Sequence, residues 1–199
     1  RDGPDMSRDI VAIAISAYDE ADRIGRCLDS LAAQDDPGPI AVVVVANNCS
    51  DATAEIARAP RAVQVHVIEH AFADHERGAG AARRMAMAQA AQLGTIVLTT
   101  DADCVVDHDW VRAHRAAFAR GADWSELSLH PEPARRIGEL EWTYLGLIAE
   151  AEPLFDPVAH DPAPRHAQRC GANLGITRAM LERIGGVPAL ATGEDRALL

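Results

Sequence analysis

The sequence predicts an α/β protein whose mostly parallel sheet is flanked by helices within a single domain. Four apolar runs rich in valine and isoleucine occur in the first half of the chain, and none alternates cleanly with polar residues. Such runs are typical of parallel strands covered on both faces. Segments with helical spacing separate the runs, and strands that alternate with helices form right-handed crossovers. A length of 199 residues is enough for one domain with a full hydrophobic core.

The elements of the first half follow one another in a regular order. The predicted strands span residues 10–15, 40–46, 63–68 and 95–100. The predicted helices span residues 21–33, 51–58, 78–93 and 110–119. The apolar face of the first helix is formed by Ile24, Cys27, Leu28 and Leu31. Ser50 or Asp51 is expected to cap the second helix, because short polar side chains favour that position. Asp107 and Asp109 are expected to cap the fourth helix in the same way.

The second half of the chain has a less regular pattern. Residues 121–129 predict an edge strand, and residues 136–152 predict a helix. A short helix over residues 178–184 is expected to end at Gly185-Gly186. The segment 156–169 holds several prolines and two histidines, which favours a long irregular loop with a role as a lid or on the substrate side.

The two ends of the chain differ. Residues 1–9 are polar and are expected to be flexible. Residues 193–199 have the pattern of a helix opening without a stop signal, so we expect the native polypeptide to continue. We therefore divide the chain into a flexible N-terminus, an α/β half over residues 10–120 and a truncated second half over residues 121–199.

Composition disfavours several classes of protein. The net charge of -11 argues against an extended nucleic-acid-binding face, because phosphate backbones bind clustered lysine and arginine. No stretch approaches the roughly 20 apolar residues that span a bilayer, and the start of the sequence lacks the apolar core of a signal peptide. The four cysteines have no Cys-x-x-Cys spacing, so we predict reduced thiols in a cytoplasmic protein and no structural zinc site.

Two carboxylates follow the fourth predicted strand. Asp101 and Asp103 come directly after an apolar run, so they should emerge at its carboxyl end. In open α/β sheets, ligands bind at that edge. If the backbone stays extended, residues two apart share a face, and both carboxylates could bind one hard cation or one ribose and its diphosphate. The alternative is a solvated acidic turn, because aspartate is common in turns.

Polar side chains also follow the first two predicted strands. The segment after the first strand begins at Ser16 and includes Tyr18 and Glu20. Tyr18 could stack on a nucleobase or pack under a loop. After the second strand, Asn47 and Asn48 could read the polar edge of a pyrimidine or stabilise a left-handed turn.

A glycine-rich segment precedes the third predicted helix. Gly78-Ala-Gly-Ala-Ala-Arg83 lacks the Lys-Ser/Thr pair of a P-loop and the third glycine of a dinucleotide-binding fingerprint. It also does not follow the first strand, where that fingerprint belongs. Dinucleotide binding of that kind is therefore disfavoured.

In their order and approximate spacing, these motifs resemble those of the family 2 glycosyltransferases, which have the GT-A fold. The matching segments are residues 11–20, 47–53, 78–83, 100–104, 171–174, 185–186 and 193–195. The resemblance therefore covers nearly the whole chain. Ser16 stands where the family usually has proline, and Ala46-Asn47 stand where an acidic pair often occurs, which leaves the identity of the nucleobase open.

The resemblance implies an inverting transfer from a nucleoside-diphosphate sugar, such as a UDP- or GDP-sugar, to an acceptor hydroxyl with Mn²⁺ or Mg²⁺. It implies that Asp103 and Asp101 of the Asp-x-Asp motif hold the metal, with Asp101 nearer the ribose. Asp195 is implied as the general base, with Glu194 beside it on the acceptor. The residues implied for donor binding are Ser16, Tyr18, Glu20, Asn47, Arg83, Asp101, Asp103, Gly171 and Asn173. Residues 10–120 would bind the nucleotide sugar, and residues 121–199 would lie on the acceptor side.

Two other functions stay open at this point. A nucleotidyltransferase also uses acids at the edge of a parallel sheet to hold a metal and a triphosphate. It normally has a basic glycine-rich loop after the first strand, whereas residues 16–21 are acidic here. A non-catalytic nucleotide-sugar-binding protein would keep the fold and bind the donor without transferring the sugar.

Overall fold

The fold was analysed in a computed structural model, which describes residues 9–74, 76, 78–126 and 171–188. The strands are β1 (Val11–Ala17), β2 (Ile40–Asn47), β3 (Gln64–His70), β4 (Ile96–Asp101), β5 (Trp124–Glu126) and β6 (Leu174–Thr177). The helices are α1 (Ile24–Ala32), α2 (Thr53–Arg58), α3 (Ala79–Leu93), α4 (Trp110–Ala119) and α5 (Arg178–Arg183). A short 3-10 turn (Gly171–Asn173) precedes β6.

All six strands belong to one sheet with the order β3-β2-β1-β4-β6-β5. The first four strands along the chain pair in parallel, whereas β6 runs antiparallel to β4 and β5 antiparallel to β6. The predicted mostly parallel sheet is therefore confirmed, and β5 is the predicted edge strand. Ser16 lies opposite Val45 on one side and Asp101 on the other, so the carboxyl ends of β1, β2 and β4 meet at one edge.

The two faces of the sheet have cores of different side-chain size. On β1, Ile13 and Ile15 point to the face covered by α1 and α4, and both are fully buried. Ala12 and Ala14 point to the opposite face, where they pack against alanines of α3. The small side chains let α3 lie close to the sheet, and dispersion contacts rise as the gap closes. Because both faces are apolar, β1 lacks the polar alternation of a half-exposed strand.

The helices predicted within the described residues are confirmed, but two of their caps differ from expectation. The N-cap of α2 is Ala52, which has no capping side chain, and Asp51 instead accepts a hydrogen bond from the backbone N–H of Thr53. The N-cap of α4 is Asp109, and its side chain makes no capping hydrogen bond. Gln34, from the loop after α1, caps this helix instead by accepting from the backbone N–H of Val111 at 2.9 Å. A side chain far away in the sequence thus does what the local aspartates were predicted to do.

Several predicted segments lie outside the described residues. They are residues 1–8 of the N-terminal segment, the helix over residues 136–152, the loop over residues 156–169, the end of the edge strand after residue 126 and the helix opening at residues 193–199. None of the helices in the described part of the chain is both long enough and apolar enough to cross a bilayer.

Candidate active site

A cavity of about 590 Å³ opens at the carboxyl ends of β1, β2 and β4, beside the start of α3. Its volume is in the range typical of small-molecule sites. The lining residues are Ser16, Ala17, Tyr18, Glu20, Asn47, Gly78, Ala79, Arg83, Asp101, Ala102 and Asp103. The structure therefore brings together most of the residues predicted for donor binding. Gly78 and Ala79 were not singled out individually, although they belong to the glycine-rich segment noted in the sequence.

The two acidic residues after β4 reach the cavity through a turn. Of the two alternatives left open for this segment, the backbone forms a turn, because β4 ends at Asp101 and the backbone N–H of Cys104 donates to the carbonyl of Asp101 at 3.1 Å. Ala102 points into the core and is 3% exposed, whereas Asp103 is exposed. Both carboxylates nevertheless line the same cavity. The turn therefore brings both carboxylates to one cavity, as an extended backbone would also have done.

The two carboxylates differ in their ionic partners. Nη2 of Arg83 lies 2.8 Å from Oδ1 of Asp101, and the Arg83 side chain is only 9% exposed. In the described ranges, no cationic side chain lies within ion-pairing distance of Asp103. Asp101 is therefore paired with a cation, whereas Asp103 has no cationic partner among the described residues.

Glu20 adds a third carboxylate to the cavity. It pairs with Arg23 at 2.7 Å. Partial burial raises the pKa of Glu20, and the negative charges of Asp103 and Asp51 raise it further, while Arg23 opposes the shift. Burial is the main cause of the raised pKa, and the neighbouring carboxylates add to it, so a cation bound beside them would favour the charged form of Glu20.

The cavity fits a hard divalent cation. Its exposed ligand atoms are carboxylate oxygens, which Mg²⁺ and Mn²⁺ prefer, and Mg²⁺ is commonly held by one or two carboxylates together with substrate phosphates. Burial raises the pKa of the Cys27 thiol to about 12 and that of Cys104 to about 11. Both thiols are therefore protonated near neutral pH and do not compete as thiolate ligands.

A second group of side chains that could ligate a metal joins two loops through hydrogen bonds. In the described part of the chain, Asp19, Cys49 and Asp51 have ligand atoms within 4.8 Å of one another. Their carboxylates are already engaged, since Asp19 accepts from the backbone N–H of Ser50 at 2.6 Å and Asp51 accepts from that of Ala21 at 3.0 Å. These bonds join the loop after β1 to the loop after β2 and so hold the segment that carries Tyr18 and Glu20.

The end of the cavity near β2 presents an aromatic ring and an amide. Tyr18 is 51% exposed, and Asn47 is 4% exposed. Nδ2 of Asn47 donates to the carbonyl of Gly78 at 3.4 Å, and its Oδ1 has no hydrogen-bond partner in the described ranges. Asn48 takes the left-handed turn that was one of the two predicted roles, with φ of 51°. Asn47 is left as a buried acceptor at the cavity wall.

The 3-10 turn lies behind the cavity wall. Neither Gly171 nor Asn173 is among the lining residues in the described part of the chain. Gly171 contacts the guanidinium of Arg83, and the Oδ1 of Asn173 accepts a hydrogen bond from Nε1 of Trp110. Gly171 therefore lies against a lining residue, whereas Asn173 contacts Trp110, which is not among the lining residues and which sequence reasoning did not anticipate as its partner. Glu194 and Asp195, predicted to be catalytic, lie outside the described residues.

Comparison with known proteins identifies relatives of the chain. The sequence profile described as "Glycosyl transferase family 2" matches residues 12–127. Glycosyltransferase AglE of Haloferax volcanii is 32% identical over 102 residues, which cover 51% of this chain and 33% of AglE.

Solved structures share the fold at lower identity. S. aureus TarS in complex with UDP has a TM-score of 0.68 at 20% identity, covering 94% of this chain and 53% of that one. Mannosyltransferase PcManGT from Pyrobaculum calidifontis, in complex with GDP-Man and Mn²⁺, has a TM-score of 0.65 at 22% identity, covering 96% of this chain and 51% of that one. The predicted single-domain α/β fold is thereby confirmed. The chain spans about half the length of these solved structures and a third of the curated relative.

Proposed function

The chain belongs to glycosyl transferase family 2 and has the GT-A fold, and on that premise we propose that it transfers a sugar from a nucleoside-diphosphate sugar to an acceptor hydroxyl with inversion of configuration. The proposal includes a divalent cation, Mn²⁺ or Mg²⁺. The observation that carries it is the single cavity lined by Tyr18, Asn47, Arg83, Asp101 and Asp103 at the edge of the sheet where α/β proteins bind ligands.

The nucleoside would bind at the end of the cavity near β2. The exposed ring of Tyr18 offers a face for stacking, which every nucleobase can use. The buried Oδ1 of Asn47 needs a donor, because an unsatisfied buried acceptor costs about 1–3 kcal/mol. The ring N–H of uracil, thymine or guanine would supply one. We therefore favour a UDP- or GDP-sugar, in keeping with the nucleotides bound by TarS and PcManGT.

The diphosphate would bind beside the acidic turn after β4. Asp103 would hold the cation, with Asp101 nearer the ribose, and the cation would act as a Lewis acid that stabilises the leaving diphosphate. The positive charge of Arg83 would add to this stabilisation. The protein's contribution is to hold these groups in place before the donor arrives, so that little reorganisation is needed during the reaction.

The acceptor hydroxyl needs a base on the opposite face of the anomeric carbon. We propose Asp195 for that role, with Glu194 binding the acceptor and residues 121–199 forming the acceptor side. A single carboxylate that removes the proton during in-line attack gives inversion, and such assistance is worth about 10²- to 10⁴-fold in rate. We also propose a cytoplasmic location, in keeping with the free thiols Cys27, Cys49 and Cys104.

The test compares donor binding with donor hydrolysis in four proteins: wild type, Asp103→Asn, Asp195→Asn and Asp107→Asn. Slow hydrolysis of UDP-, GDP- and TDP-sugars with Mn²⁺ reports the chemistry, and calorimetry reports binding. We expect Asp103→Asn to weaken Mn²⁺-dependent donor binding by about 10- to 100-fold, because it removes a metal ligand. We expect Asp195→Asn to bind the donor normally and to lose at least about 10²-fold in rate.

Asp107→Asn is the matched control. Asp107 is exposed on the same loop as Asp103, does not line the cavity, and loses the same charge in the variant. It should behave as wild type in both assays. Normal hydrolysis by Asp195→Asn would remove that residue from the mechanism. Binding of a donor with neither hydrolysis nor transfer would identify a nucleotide-sugar-binding protein, and failure to bind any donor would refute the proposed function.

A further inference from the structure

Gly171 lies against the charged end of Arg83. A Cβ atom placed on Gly171 would be 2.5 Å from Cζ of Arg83, 2.6 Å from Nη1 and 2.8 Å from Nε. Carbon and nitrogen atoms that are not bonded do not approach so closely. Any residue with a side chain at position 171 would therefore have to push the guanidinium away.

The guanidinium has little room to move without breaking its ion pair. Arg83 is 8% exposed and lies on the buried face of α3. Its Nη2 is 2.8 Å from Oδ1 of Asp101. The same guanidinium thus faces Gly171 through Cζ, Nη1 and Nε and binds the carboxylate of Asp101 through Nη2. A displacement large enough to relieve a contact at 2.5 Å would disrupt the pairing with Asp101.

We propose that Gly171 is a positioning residue that acts through Arg83, and that the Arg83–Asp101 pair determines which carboxylate of the Asp-x-Asp motif is free to bind the cation. The pair neutralises Asp101 and fixes its position, so Asp103 carries the uncompensated charge that attracts the metal. This inference rests on the proposed function, since it concerns the same cavity. It assigns to Gly171 a role distinct from contact with the donor sugar.

The position of Arg83 predicts that its removal changes the affinities for Mn²⁺ and for a nucleoside diphosphate in opposite directions. Arg83 places a positive charge beside the carboxylates, so it repels a free divalent cation and attracts an anionic diphosphate. Loss of that charge should strengthen the binding of Mn²⁺ alone and weaken the binding of a nucleoside diphosphate in the presence of Mn²⁺. A purely structural role for Arg83 would weaken both.

The experiment uses Arg83→Ala, Gly171→Ala and the double variant. Electron paramagnetic resonance measures the binding of Mn²⁺ alone, and calorimetry measures the binding of UDP or GDP, whichever binds wild type more tightly, with saturating Mn²⁺. For Arg83→Ala we expect binding of Mn²⁺ about tenfold tighter and binding of the nucleotide about tenfold weaker. Gly171→Ala should change both in the same directions by about threefold, because the displaced guanidinium keeps its charge nearby.

Two matched variants control for the substitutions themselves. Arg84→Ala removes the same charge from the neighbouring position of α3, and Arg84 makes no ion pair in the described part of the chain. Gly25→Ala adds the same methyl group in α1, where the nearest atom would be Cγ2 of Ile56 at an ordinary 3.6 Å. Both should retain wild-type affinities within about twofold, because charges outside the site are screened by solvent.

The double variant decides whether Gly171 acts through Arg83. Once the guanidinium is gone, the methyl group of Gly171→Ala has nothing to displace, so the double variant should match Arg83→Ala alone. If Gly171→Ala fails to fold, adding Arg83→Ala should restore a cooperative melt by circular dichroism. The inference would be overturned if the effects of the two substitutions on affinity added together, or if Arg83→Ala did not restore folding to Gly171→Ala. In either case, nucleotide binding by wild type would still support the proposed function. A wild type that bound neither nucleotide would overturn both.

Discussion

The buried histidine behind the site should control the acid stability of the protein. His114 is fully buried, and its Nδ1 is joined by a hydrogen bond of 2.6 Å to the hydroxyl of Ser125. Its ring packs edge-on against Trp110 at 5.0 Å between centroids. Burial lowers the pKa of His114 from 6.5 to about 4, and a hydrogen bond with Asn173 opposes the shift. In the described ranges, no carboxylate lies close enough to favour the charged ring.

The sign of the effect follows from proton linkage. Above pH 6.5 the ring is neutral in both the folded and the unfolded states, so His114 imposes no penalty. As the pH falls toward 4, His114 binds a proton in the unfolded chain but stays neutral in the folded protein, so the free energy of unfolding decreases. A pKa difference from 6.5 to about 4 corresponds to about 3 kcal/mol in full, at about 1.36 kcal/mol for each pH unit. About 2 kcal/mol of this should be lost by about pH 5.

The assay is urea unfolding followed by circular dichroism at several pH values between about 5 and 8. His114→Asn keeps a polar atom near the hydroxyl of Ser125 but does not titrate in this range, so its free energy of unfolding should vary less with pH than that of wild type, by about 2 kcal/mol. His108→Gln removes an exposed histidine and should keep the wild-type slope. A variant at position 114 whose stability depends on pH as steeply as that of wild type would refute the reasoning.

Two further substitutions test the packing that holds the site in place. In Gly94→Ala, the new Cβ would lie 2.5 Å from the backbone carbonyl of Ile10, so we expect a loss of about 1–3 kcal/mol in urea unfolding; a loss within the error of the measurement would contradict the close approach. Trp110→Phe removes a hydrogen-bond donor from the buried amide oxygen of Asn173, so we expect a loss of about 1–3 kcal/mol together with weaker nucleotide binding. Unchanged nucleotide binding in Trp110→Phe would separate the turn at Gly171–Asn173 from the site.

The regular elements could be predicted from the sequence because their burial is reflected in composition. The strands β1, β2 and β4 are apolar runs buried on both faces, as their composition predicts, whereas β3 lies at the edge of the sheet and is only partly buried. The apolar face of α1 follows directly from helical spacing, and its four members are all buried. The alanines of α3 carried no comparable signal, since small residues suit many environments. Their role in packing is evident only in the structure, where they contact Ala12 and Ala14 of β1.

The contacts that shape the site could not be predicted, because they join residues distant in the sequence. Local capping preferences predicted Asp107 and Asp109 as caps of α4. In the structure the cap is Gln34, which follows α1 and accepts a hydrogen bond from the first turn of α4. Likewise, the family resemblance implied that Arg83 lies near a nucleotide, but it could not show that Arg83 pairs with Asp101. The spacing of the two aspartates predicted a shared cavity, whereas the turn that delivers Asp103 depends on a backbone bond from Cys104. Contacts between distant residues thus determine which polar side chains remain free to bind a ligand in the cavity.

On the proposed function, the balance of charge in the cavity would give the cation a part in nucleotide binding. Three carboxylates line the cavity, of which Glu20 pairs with Arg23 and Asp101 pairs with Arg83, whereas Asp103 has no cationic partner in the described ranges. Two unit charges about 5 Å apart interact by about 3 kcal/mol at the effective dielectric constant of a partly exposed site. A diphosphate entering alone would be repelled by Asp103 with an energy of this order. A divalent cation reverses the sign of that interaction, so the protein should bind the nucleotide and the cation as a unit.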